Sequence, residues 1–231
     1  MYTLSSIQTG TGQSVALTNE RADGYRCSSA NREQVIIPKE KQFIWLEGED
    51  SSSTVVQWNA HAEPADAETA TAAFAGRHFF SQCWIEGGVD FIFGIAASVY
   101  EGCTLNSILI DEGPSWFTAH AKVNVSAPGG FVFKNCNLTG SGNMYLGRAW
   151  NEYSTVLFYE SFMSGLVVPL GWDSWQHDVS HITYAETNCI GPGSNMSQRV
   201  PWEKQLGGQD WDVFVGSEFN DQDGWIEQHA P

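Results

Sequence analysis

"VYEGCTL", Val99–Leu105, is one of four short runs written to a single template. Each has two apolar residues, two mostly polar ones, Cys in three of the four copies, any residue, then an apolar one. The others are "FFSQCWI" (Phe79–Ile85), "VFKNCNL" (Val132–Leu138) and "LFYESFM" (Leu157–Met163), with starts 20, 33 and 25 residues apart. "TYAETNCI" (Thr183–Ile190) is a looser fifth copy. β-rich runs recurring at irregular intervals of this size, separated by Gly, Asn, Ser and Pro, predict a parallel β-solenoid, with an antiparallel sandwich as the alternative. In a solenoid the same template position stacks into one column. Cys83, Cys103 and Cys136 then form rungs of a buried ladder, where Cys acts as a small hydrophobe. The tail from Gly191 is different, with loop signals followed by an amphipathic stretch, and is expected to cap the solenoid's open end.

Composition narrows the function. Of 231 residues, 42% are hydrophobic and 16% charged, enough apolar matter for a large core. The net charge of −16 argues against nucleic acid and anionic membranes as partners. No run approaches the roughly 20 apolar residues of a membrane span, and "MYTLSSIQTGTGQSVALT" lacks the basic start and apolar stretch of a signal peptide. Five cysteines, at 27, 83, 103, 136 and 189, do not read as a disulfide framework, and none has metal-ligand spacing. Three sequons, at Asn124, Asn137 and Asn195, hint weakly at a secretory history. Ten Trp supply core packing or platforms for sugar rings.

Chemistry concentrates in two stretches. "EGGVDFIFG", Glu86–Gly94, sets Asp90 among bulky apolar residues, where burial raises a carboxylate's pKa unless a cation or hydrogen bonds offset it. Strand alternation expects Val89, Phe91 and Phe93 on one face and Asp90 on the other, with Ile92 and Gly94. "MYLGRAWNEYS", Met144–Ser154, puts Arg148 and Trp150 two apart, on the same side of a strand. Arg148 offers a fork to a carboxylate, and Trp150 offers a stacking face. One coil away, Arg148 is expected to orient Asp90. An Arg–Asp pair that only ties coils together is the structural alternative.

Taken together, "CWIEGGVDFIFG", "MYLGRAWNEYS", "LGWDSW" (Leu170–Trp175) and "GPGSNMSQRVPW" (Gly191–Trp202) resemble the plant pectinesterase (pectin methylesterase) family. "REQVIIPKEKQFIWLEGED" (Arg32–Asp50) resembles its early coils. The resemblance implies an all-β, right-handed parallel β-helix with a C-terminal loop/helix segment. It also implies hydrolysis of methyl esters in pectin, releasing methanol, with no metal or organic cofactor. Residue by residue, it makes Asp90 the nucleophile and Arg148 its positioning partner. Trp150 and, less directly, Phe93 become lining of the sugar cleft. Methyl-esterified homogalacturonan is the implied partner, with a proteinaceous inhibitor by family analogy. A monomer in the cell wall is expected, although no signal peptide is visible. A lyase or polygalacturonase fits less well, for want of clustered carboxylates.

Three departures qualify the match. Ala149 stands where the family usually has Pro. The family's Gln-Asp-Thr-Leu motif, with its general acid/base, and its upstream glutamine motif are absent between "AETATAAF" (Glu68–Phe74) and "GRHFFSQC" (Gly76–Cys83), as if two to three coils were lost there. "GQSVALTNERADGYRC" (Gly12–Cys27) faintly resembles the lost glutamine segment, but out of order. The expected division is an atypical segment at 1–31, a β-helix domain at 32–206 and a tail at 207–231. Glu86 is the nearest substitute carboxylate in sequence. Positioned acid–base help is worth about 10²–10⁴-fold. The chain is therefore expected to be a poor esterase, a pectin binder without activity, or an unstable product.

Overall fold

The computed structural model describes residues 76–108 and 113–226, together with the backbone of short strands upstream, among them Phe43–Gly48, Val55–Gln57 and Ala73–Phe74. Three parallel sheets of seven, six and five strands run side by side, and each complete coil gives one strand to each sheet. One turn runs Arg77–Ser81, Trp84–Gly87, Ile92–Gly94. The next runs Ala97–Glu101, Thr104–Ile108, Ser115–His120. This is the expected right-handed parallel β-helix, the hand that parallel crossovers favour.

The template is the corner between the first two sheets. Gln82, Gly102, Asn135, Glu160 and Asn188 all take φ between 49° and 61°, one residue before the Cys position. A left-handed residue turns the chain sharply, and here it does so without breaking the ladder. Gln82 N donates to Glu101 O at 2.9 Å, and Asn135 N to Tyr159 O at 3.0 Å. Cys83, Cys103 and Cys136 line up as expected, each thiol donating to a backbone carbonyl. The fifth copy is shifted. Ala185 pairs with Leu157, so Cys189 joins the ladder beyond Ser161, whose hydroxyl accepts from Cys136 N at 3.0 Å. Burial pushes the Cys103 thiol well up and Cys189 up to about 12, so both stay protonated and inert.

Inside the first sheet, Phe80, Tyr100, Phe133 and Phe158 stack with centroids 4.5–4.6 Å apart. Each is fully buried and contributes roughly 1.5–3 kcal/mol of apolar burial. The outer face of that sheet carries Phe79, Val99, Val132, Leu157 and Ala185 in one column. The loop part of the tail packs on the last coil, with Trp202 against Tyr184 and Lys204 N donating to Tyr184 O, but its helices depart from expectation. Helices α1 (Gly208–Val215) and α2 (Ser217–Asn220) do not cap the end of the solenoid. They lie along its flank, where Trp211, Trp225, Phe214 and Phe219 cover this apolar column. Arg77 clamps the tail through a bidentate bond to Asp223.

Phe43–Gly48 pairs directly with Arg77–Ser81, and Val55–Gln57 with Trp84–Gly87. All of Glu68–Ala72, Gly12–Gln13 and Ala16–Asp23, and the side chains of Ala73–Phe74, lie outside the described residues.

Candidate active site

The third sheet positions the site. In register across its strands stand Phe93, Ala119, Arg148 and Asp173. Asp90 is not in a strand. It precedes Ile92–Gly94 at φ 45°, held by its N–H on Trp116 O at 2.9 Å. This left-handed step overturns the expected alternation. Phe91 and Ile92 both enter the core, Phe91 edge-on to Phe117 at 5.5 Å, while Phe93 turns outward with Asp90. Gly87 permits the fold, because a Cβ there would collide with the Phe91 ring.

Asp90 and Arg148 form a bidentate pair: Nε donates to Oδ1 at 3.0 Å and Nη2 donates to Oδ2. Both residues are buried, at 5% and 8% exposure. Burial pushes the Asp90 carboxyl up to about 6. Arg148 pulls it down and nearby Asp173 pushes it further up. Asp90 is thus a carboxylate above about pH 6, oriented by a fork it cannot leave without losing both bonds.

Aromatic rings enclose the pair. The Arg148 guanidinium lies 3.9 Å from the Trp175 ring centroid, 4.5 Å from Trp116 and 4.8 Å from Trp150. Phe93 meets Trp150 edge to face at 5.2 Å. Trp150 is anchored by its backbone N–H, which donates to His120 O at 3.1 Å, yet the residue stays 38% exposed, beside Trp175 at 42%. Half-sandwiched, half-wet indoles of this kind suit a sugar face.

The four residues named from sequence, Asp90, Arg148, Trp150 and Phe93, therefore come together. Trp116, Tyr145, Asp173 and Trp175 join them and were not singled out as site residues. The one sequence signal was the "LGWDSW" block and the surplus of Trp. Glu86 is not part of the site. It lies in the second sheet, accepting from Trp84 at 3.2 Å and Asn106 at 2.6 Å. His120 offers no acid either, since burial pushes it down to about 3 and its Nδ1 accepts from Thr155 N. Among the described residues no group of three His, Cys, Asp or Glu side chains is placed to hold a metal.

Comparison with known proteins gives a consistent picture. The family model described as Pectinesterase matches residues 72–221. The chain is 33% identical to Probable pectinesterase 55 of Arabidopsis thaliana, over 85% of this chain and 78% of that one. It is 39% identical to Probable pectinesterase 29 of the same plant, but spans only 48% of that protein, about half its length. The first match runs over 258 positions but takes in only 85% of the 231 residues, about 196, so about 60 positions of that relative have no counterpart here. In fold, the pectin methylesterase from carrot superposes with a TM-score of 0.68 at 21% identity, covering 91% of this chain and 87% of the other.

Proposed function

The chain belongs to the pectinesterase family, and from that premise we propose that it acts on the methyl esters of galacturonate units in pectin. The observation that carries this reading is the buried Asp90–Arg148 pair under a half-exposed tryptophan wall. Oδ of Asp90 attacks the ester carbonyl carbon, the C–O bond to the methyl group's oxygen breaks, and methanol leaves after gaining a proton. The proton that methanol gains comes from solvent water, and a second water then opens the acyl-enzyme anhydride, returning the Asp90 carboxylate, freeing the galacturonate acid and giving a proton back to solvent. Arg148 keeps the attacking oxygen aimed, while Trp150 and Phe93 hold the sugar. The cell wall is the proposed location, and a monomer the proposed state.

A second reading, binding without turnover, is favoured by one observation. The carboxylate nearest the pair among the described residues is Asp173, and both its oxygens already accept hydrogen bonds. The 60 or so unmatched positions equal two to three coils, the same length that the family resemblance finds missing between Phe74 and Gly76. Methanol release from highly methylated pectin separates the two. Release that Asp90→Asn abolishes supports hydrolysis; no release, with pectin binding intact by calorimetry, supports the binder.

A further inference from the structure

The tryptophans about Arg148 do not hold themselves in place. Asp173 stands in register with Arg148 on the neighbouring strand. Its Oδ2 accepts from the Trp116 indole N–H at 3.1 Å, and its Oδ1 accepts from the Trp175 backbone N–H at 2.8 Å. The two rings so tied meet edge to face, 5.5 Å between centroids, and both lie against the guanidinium. Trp175 and Gln176 both have positive φ, 50° and 66°, so this turn follows a route that side chains disfavour and the Asp173 carboxylate fastens its start. Solvent reaches 42% of Trp175, whose ring rests on Arg148 and Trp116 while Asp173 fixes its backbone.

We propose that Asp173 is a positioning residue for the Asp90 site, fastening Trp116 and Trp175 against Arg148 so that the sugar-binding wall and the arginine fork are set as one unit. The proposal rests on reading the cleft as a methyl-ester site. Its charge is part of the argument. A neutral acceptor would tie an indole N–H equally well, whereas a carboxylate here opposes the ionisation of Asp90. The groups facing Asp90 are Arg148, which favours its charge, and Asp173, which opposes it; the Tyr184 hydroxyl lies buried and neutral nearby. Holding Asp90 high keeps it a stronger nucleophile once ionised.

Asp173→Asn and Asp173→Ala test this in the full chain. Four readouts apply: near-UV circular dichroism, kcat and KM for methanol release across pH, calorimetric binding of a methylated galacturonate hexamer, and a carbon-13 NMR titration of the Asp90 carboxyl. Expected are a native near-UV spectrum for Asp173→Asn and a titration midpoint of Asp90 below the wild-type value in both variants. Asp173→Ala is expected to weaken hexamer binding about tenfold, and KM to rise in step with little change in kcat. An unmoved midpoint, unchanged hexamer affinity, or loss of the native spectrum in Asp173→Asn overturns the proposal. Wild-type protein that releases no methanol defeats the esterase reading alone, because the hexamer affinity and the titration still decide the role of Asp173.

Discussion

Among the described residues two bidentate Arg–carboxylate pairs have buried side chains, and they are spent differently. Arg199 grips Glu186 at 2.5 and 3.1 Å, then donates to the carbonyls of Val168, Pro169 and Gly193. Its side chain is 3% exposed and that of Glu186 1%. Beyond the carboxylate, the remaining donors of Arg199 fasten backbone carbonyls from two separate segments. Arg148 and Asp90 are 9% and 8% exposed at the side chain, and the hydrogen bonds of Arg148 recorded among the described residues go to Asp90 alone. Its remaining surface meets indoles that open to solvent. A buried ion pair is weak grounds for either stability or function. Where the spare donors point separates the two cases: into carbonyls for a brace, into an open aromatic cleft for a site.

That contrast can be broken by substitution. The largest effect is expected from Asp90→Asn, which should cut methanol release by about 10⁴-fold or more while the melting temperature stays within a few degrees. Arg199→Ala should do the reverse. It leaves Glu186 buried without its partner and should cost about 3–5 kcal/mol in denaturant unfolding, with activity per folded molecule unchanged. If both variants lose stability alike, the distinction between brace and site fails.

Smaller effects sharpen it. Glu203 packs beside the brace, its Oε1 accepting from Glu186 N at 3.1 Å, and burial first and then Glu186 push its carboxyl up to about 8. The folded state therefore holds a proton that the unfolded chain, near pH 4.5, gives up. Stability should fall as pH rises from about 4.5 to about 8. Glu203→Gln removes that fall, so thermal melts should match wild type at pH 4 and exceed it at pH 8.5 by about 1–3 kcal/mol. Asp90 sets a different limit. With its carboxyl at about 6, kcat/KM should drop about tenfold per unit below that pH, a profile the brace does not touch. Last, Trp150→Ala should raise KM about tenfold and leave kcat nearly unchanged, read from initial rates on pectin.

Much of this was legible in the chain. The template runs mark the corner because a left-handed residue and a small buried one must recur there, and Gln82, Asn135 and Glu160 sit where the pattern has its polar pair. The pairing of Arg148 with Asp90 was legible because a lone buried carboxylate needs a cation. What was not legible depended on register between coils of unequal length. Asp173 meets Trp116 across 57 residues, and no spacing rule sets that distance. The direction of Asp90 was misread for a local reason, since one positive φ reverses the alternation that strand logic assumes. The helices of the tail were misplaced because their apolar residues match a column, Phe79 to Ala185, that exists only once the coils are stacked.

The ring stack of the first sheet has a last member that is not a ring. Beyond Phe80, Tyr100, Phe133 and Phe158, the position in register is Glu186, held by Arg199. A pile of like coils has no natural length. Its end face presents unpaired strands that template further strands, whether from the same chain or from another copy. A carboxylate where the next aromatic belongs makes that face a poor seed, since any added coil would have to strip the pair of its partners. The brace that stiffens the terminal loops is thus also a chain terminator in the polymer sense: it leaves the end of the stack without the aromatic face on which a further coil would rest.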